Sequence, residues 1–264
     1  MASTPLPANA LLGLNDPSPV RTTGDLLAPA PLVFIGDHAG AALPRILGDL
    51  GLAPADRARH IAVDIGIEEL GLSLAERLGS PFLRQVYSRL VIDCNRDPAH
   101  AGSVAPVSDG TVVPGNTGID AAGRQARIDE IFEPYQSAVS AMLDKRAAAG
   151  LETVLVSLHS FTPRMNGSDR PWHLGVLHDG HQDGYCLAVL ERLRRLGPYV
   201  VGDNEPYRMN TTDYTVPRHA FSRNLAYLEL EVRQDLIAPD NPQSRETIAA
   251  MLTEVLPACL TSAS

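Results

Sequence analysis

Several positions in this chain set a nitrogen base or an acid at the end of an apolar run. His38 follows PLVFIGD, Asn95 and Arg96 follow RLVIDC, His159 follows TVLVSL, and Glu231 and Arg233 close LEVR. Two imidazoles and a carboxylate are the donors that a catalytic zinc takes from a protein, leaving one position open for water. His38 and His159 are the natural nitrogen donors. Asp64, in HIAVD, is the carboxylate candidate, although a helix N-cap or turn role explains it equally well on the sequence alone, and Glu69 is its nearest competitor. Such a metal polarises a carbonyl and acidifies water, and it needs a base beside it, a role that suits Glu231 at the end of an apolar strand. Glu229 falls on the same strand face as Glu231, so only one of the two need act.

Arginine recognises carboxylates through a planar fork of donors, and SRLVIDCNR places Arg89 and Arg96 around one apolar stretch. An anion pocket is one reading; a structural ion pair of Arg96 with Asp93 or Asp97 is the other. A single histidine after a strand most often serves only as a hydrogen-bonding group, so the weight lies in the pattern. His60, His100, His178, His181 and His219 have no comparable placement and read as surface or supporting residues. Cys94 as a nucleophile would need an activating histidine, and it sits in an apolar run.

The elements that must carry these residues alternate. Strands are expected over residues 31–37, 82–86, 89–94, 153–158, 173–177, 199–201 and 225–232. Helices are expected over 68–78, where Leu70, Leu74 and Leu78 recur every fourth residue, over 120–149 with a break near Pro134, and over 185–196 and 244–256. That order predicts an α/β protein with a mostly parallel sheet covered on both faces. Ligands of such sheets gather beyond the carboxyl ends of the strands, where the candidate residues stand. Residues 1–30, rich in Pro, Ala, Ser and Asn, read as an extended arm, and 31–264 as a single catalytic domain. Residues 103–118, rich in Gly, Pro and Ser, are a longer excursion than most connections and a candidate lid.

Composition narrows the classes. With 264 residues, 44% hydrophobic and 20% charged, the chain is ordinary for a folded protein. A net charge of -9 argues against general nucleic-acid binding. No apolar run is long enough for a membrane span, and no basic, apolar start suggests export. Three widely spaced cysteines form no CxxC pair, which fits a reducing cytoplasm rather than a disulfide framework.

Five blocks, GDHAG with Leu43-Pro44, HIAVDIG, YSRLVIDCNRDP, LHSFTP and EVRQDL, stand in order across roughly residues 31–240. Together they resemble the N-formylglutamate amidohydrolase family, in particular the bacterial branch whose first block reads DHAG. VPGN, RPWHLGVL and VGDNEPY between them are similar to that branch too. The resemblance implies a three-layer α/β/α fold similar to zinc carboxypeptidases, and zinc- or other divalent-metal-dependent hydrolysis of N-formyl-L-glutamate to formate and L-glutamate. It implies His38 and His159 as metal ligands, Glu231 as general base, Asn95 and Arg96 as the grip on a substrate α-carboxylate, and Arg89 as a group that polarises the carbonyl or holds a second carboxylate. Arg233 joins the substrate-binding candidates. Carboxypeptidase-like sites carry a Glu three residues after the first histidine, where this chain has Ala41; Asp64 is the substitute third ligand. The expected partner is a small acidic N-acyl amino acid, with no nucleic acid and no membrane. The alternatives are hydrolysis of another N-acyl amino acid or small peptide on the same site, and a carboxylate-binding protein without turnover.

Overall fold

The apolar runs that lead to His38, His159 and Glu231 form the middle of a seven-stranded mixed sheet. The computed structural model describes residues 10–165 and 167–260. The sheet strands are β1 (Val20–Thr23), β2 (Leu32–Gly36), β3 (Phe82–Gln85), β4 (Val154–Phe161), β5 (Leu174–Leu177), β6 (Val201–Asp203) and β7 (Ala226–Arg233), in the spatial order β1-β3-β2-β4-β7-β5-β6. Pairing is parallel through β3, β2, β4 and β7 and between β5 and β6. It is antiparallel where β1 joins β3 and where β5 joins β7. Every residue of β2 and β4 is buried, as expected for central strands covered on both faces.

Helices complete the three layers. The helix α1 (Ile67–Leu78) packs on β2, β3 and β4, α2 (Glu133–Ala148) on β1 and β3, and α3 (Gly184–Arg195) on β5, β6 and β7. The last helix, α4 (Pro242–Ala258), bridges α1 and α3. The predicted break near Pro134 is present: Ala121–Arg127 is α-helical, Ile128–Phe132 forms a π turn, and α2 follows. A proline without an N–H at the start of α2 fits that change of winding. Among the described residues no helix is long and apolar enough to cross a membrane.

Two expectations need correction. Residues 89–94 are not a strand but an irregular buried segment. Side chains satisfy its backbone in place of a ladder: Asn116 donates to the Leu90 carbonyl, Arg127 to Val91 and Gln136 to Cys94, at 2.8–2.9 Å. Its apolar run mimics a strand because Leu90, Val91, Ile92 and Cys94 all face the core. The expected arm contributes β1 to the sheet edge, which its mostly exposed VRTT sequence does not advertise; residues 1–9 lie outside the described residues. The 103–118 excursion is built as a hairpin of Val107–Ser108 with Thr111–Val112, tied by Arg59 to Asp109 at 2.7 Å and to Thr111 at 2.6 Å.

The turn after β2 depends on close backbone contact. A Cβ on Gly40 would lie 2.0 Å from the Val86 carbonyl oxygen, beside the Ala42–Tyr87 bridge. Gly40→Ala must therefore push the loop off β3, and we expect a loss of about 1–3 kcal/mol in chemical denaturation, the usual range for overpacking. Unchanged stability would mean that the loop has room to shift.

Candidate metal centre

His38 and Asp64 are tied together through the backbone, because the Asp64 N–H donates to the His38 carbonyl at 3.0 Å. Gly66, at the start of α1, holds this corner closed. Its φ is +83°, and a Cβ there would lie 2.2 Å from the Ile237 carbonyl oxygen, so no other residue fits without movement. His159 arrives from β4, whose neighbour β7 sets Glu231 directly across from it and Glu229 across from Ser157.

His38, Asp64 and His159 are all buried, and each offers a ligand atom within 4.8 Å of the others. The Nδ1 atoms of His38 and His159 lie 3.6 Å and 3.0 Å from Asp64 Oδ2. Ligands of one tetrahedral zinc, at bond lengths of ~2.0–2.1 Å, stand roughly 3.4 Å apart, so the spacing suits such an ion. The rest of each imidazole is committed elsewhere. His38 Nε2 meets Asp93 Oδ1 at 2.7 Å, while His159 Nε2 lies 3.1 Å from Ser157 Oγ and 3.4 Å from Asp37 Oδ2. Asp37 is itself held by Thr215 Oγ at 2.8 Å. With the Nε2 protons directed to these groups, both Nδ1 lone pairs turn toward Asp64, and His38 Nδ1 is buried without a hydrogen-bond partner among the described residues. The donor set fits a divalent metal.

Charge supports that fit. Burial opposes ionisation of Asp64, yet His38 and His159 hold its carboxyl far below the ordinary range. Burial and Arg89 oppose a charge on His38, but Asp93 and Asp64 outweigh them and raise its pKa. Burial likewise opposes a charge on His159, and Asp37 with Asp64 lifts it well above the ordinary value. Protons on the imidazoles and a cation between them satisfy the same carboxylates.

The triad opens into a cavity of about 490 Å³ that Glu231, Glu229, Arg89, Asn95 and Arg96 also line. Arg89 forks between Asp64 Oδ1 at 3.2 Å and Asp93 Oδ2 at 2.7 Å. Arg96 stands 3.8 Å from Asp93 Oδ2, and its Nε has no hydrogen-bond partner among the described residues. Asn95 Oδ1 accepts from the Tyr214 and Thr215 N–H groups at 3.0 and 2.9 Å, which leaves its amide NH₂ as the free end. Glu231 is buried with Oε2 unpartnered among the described residues, and burial, opposed by the charge of His159, pushes its pKa up to about 7.

Arg233 does not share the cavity. The pleat sends it to the side of Glu231, but the strand ends there, and the Gln234–Leu236 turn brings Asp235 back to clasp its guanidinium at 2.8 and 3.2 Å. Glu69 is exposed on α1, so Asp64 stands in the triad in place of its competitor. Cys94 is buried against Gln85, and burial raises its thiol well above the ordinary value, the opposite of an activated nucleophile. Sequence reading passed over Asp37 and Ser157 and took Asp93 only as an ion-pair partner of Arg96. Asp37 and Asp93 adjoin recognised residues in GDHAG and RLVIDCNR, and that adjacency was the signal for their role beside the histidines. Tyr207, Arg208 and Asp213 come to the cavity from a turn-rich segment with no periodicity to point at them.

The fold is α/β with a mostly parallel sheet, and beyond the carboxyl ends of its central strands a buried His/Asp/His group that could hold a metal lies beside Glu231. Residues 30–238 match the N-formylglutamate amidohydrolase family, and the chain belongs to that family. Its structure is similar to that of gene product Atu2144 from Agrobacterium tumefaciens, with 31% identity, 96% of this chain and 98% of that one covered, and a TM-score of 0.90. It is also similar in fold to N-formylglutamate amidohydrolase from Ralstonia eutropha JMP134, with 20% identity, 93% and 98% covered, and a TM-score of 0.62. No curated protein matches by sequence.

The outer carboxylates should govern metal affinity. Asp93→Asn removes the charge that orients His38, and by the usual weight of such partners metal binding should weaken ~10–100-fold in chelator competition. Because the imidazole pKa values are raised, a metal must displace protons; affinity should therefore fall as pH drops, with protons released on binding in unbuffered titration. Asp93→Asn affinity equal to wild type would remove Asp93 from this role.

Proposed function

We propose that this protein is a zinc-dependent amidohydrolase of small acidic N-acyl amino acids, with N-formyl-L-glutamate as its foremost candidate substrate. The observation that carries this reading is Glu231, buried with Oε2 unpartnered among the described residues and paired across β4 and β7 with the metal-ligand candidate His159. His38, Asp64 and His159 would hold the metal, which would polarise the amide carbonyl and acidify water.

The chain's own groups supply the rest. Glu231 takes a proton from the attacking water and returns it to the leaving nitrogen, a transfer suited to a carboxyl whose burial lifts its pKa toward neutrality. Arg96 and the free amide end of Asn95 hold the substrate carboxylate. Arg89, clamped by Asp64 and Asp93, is fixed beside the triad where charge develops on the acyl oxygen. The family supports amide hydrolysis as the reaction class. Residues 31–264 would act as one catalytic domain, and three free, buried thiols are compatible with a reducing cytoplasm.

Formate release from N-formyl-L-glutamate tests the reading. Glu231→Gln should lower kcat by roughly 10²–10⁴-fold with the circular dichroism unchanged; near-normal kcat would dismiss it as the base. Arg96→Ala should act mainly by raising KM, and an unchanged KM would remove it from the carboxylate grip. As the base must be ionised, kcat/KM should rise with pH through an acid limb at or below about 7, since a nearby metal favours the carboxylate. A limb that falls with rising pH over that range would contradict the assignment.

A further inference from the structure

Glu229 is a buried carboxyl that the mechanism does not use. It is only 2% exposed, it lines the same cavity as Glu231, and its Oε2 has no hydrogen-bond partner among the described residues. Glu231 shares this feature and is used as the base, but the neighbouring buried aspartates differ. Asp37 is held by Thr215 and Ser157, Asp64 by Arg89, His159 and the Ser160 N–H, and Asp93 by His38, Arg89 and the Asn95 N–H. A carboxyl taken out of water in a folded protein is normally paired, so one left open to a cavity is a place where a ligand can supply the missing donor.

Its surroundings specify that ligand's charge. Asp213 lines the same cavity, and its charge, with those of Glu231 and Asp37, adds to burial in raising the Glu229 pKa. An additional carboxylate would be disfavoured beside them, whereas a donor nitrogen satisfies both. Arg96 and Arg208 line the cavity as well, so the same space offers a grip for an anion. A volume of about 490 Å³ is ample for a ligand that reaches both groups.

We propose that Glu229, with Asp213, forms a subsite for a second nitrogen donor, an ammonium or amide group, carried by the substrate in addition to its scissile amide and its carboxylate. The inference rests on the amide-hydrolase reading above and extends its substrate class from purely anionic acyl amino acids to bipolar ones. The donor belongs either to the acyl group or to the side chain of the released amino acid.

Two matched pairs of substrates distinguish these sources. Glycyl-L-glutamate against N-acetyl-L-glutamate adds an ammonium on the acyl side, and N-formyl-L-lysine against N-formyl-L-norleucine adds one on the side chain. In at least one pair the donor-bearing member should be favoured tenfold or more in kcat/KM, and Glu229→Gln should collapse that ratio toward one. The absence of a preference in both pairs, or a preference that survives Glu229→Gln, would overturn the subsite. If none of the four compounds nor N-formyl-L-glutamate is hydrolysed, the reaction reading fails separately. Calorimetric binding of the same pairs to the wild-type protein and to Glu229→Gln then decides the subsite by the same ratios.

Discussion

The organising constraint of this molecule is the burial of several charged groups around one carboxylate. Asp64 is taken out of water and is stable there only because His38, His159, Arg89 and the Ser160 N–H converge on it. Removing charge from water is expensive unless every partner is in place, so the backbone around it is correspondingly determined. The hydrogen bond from Asp64 to His38, the close approach at Gly66 and the pairing of β4 with β7 all serve to keep those partners in register. The outer acids Asp37 and Asp93 extend the cluster and fix which imidazole nitrogen faces inward.

This arrangement separates two kinds of acid. Asp37, Asp64 and Asp93 are each held by several donors and have lowered pKa values, whereas Glu229 and Glu231 are buried with their Oε2 atoms unpartnered among the described residues and have their pKa values raised. Groups of the first kind are suited to hold a cation, and groups of the second kind to exchange protons or bind a donor. One strand, β7, supplies both members of the second kind because its pleat returns to the same face every two residues.

Much of this was legible in the sequence. The alternation of apolar runs and helical patterns was enough to predict a mostly parallel α/β sheet, and the break at Pro134 followed from proline chemistry. The family assignment rested on collinear blocks whose residues now lie in one cavity or support it. The reading failed where tertiary contacts decide. Residues 89–94 look like a strand because they are apolar, and only the distant Asn116, Arg127 and Gln136 make an irregular path stable. Arg233 has the spacing of a site residue but is captured by a turn partner two residues on. Asp213 and Tyr207 come from a segment whose path no local pattern specifies.

The central claim is that His38, Asp64 and His159 form one metal site on which activity depends. Metal content per chain, measured after equilibrium dialysis against zinc for the wild type and for His159→Ala, tests it most directly. The account predicts about one zinc per wild-type chain and its loss from the variant with the fold retained. Wild-type protein that takes up no zinc, or a folded variant that keeps a full equivalent, would contradict it.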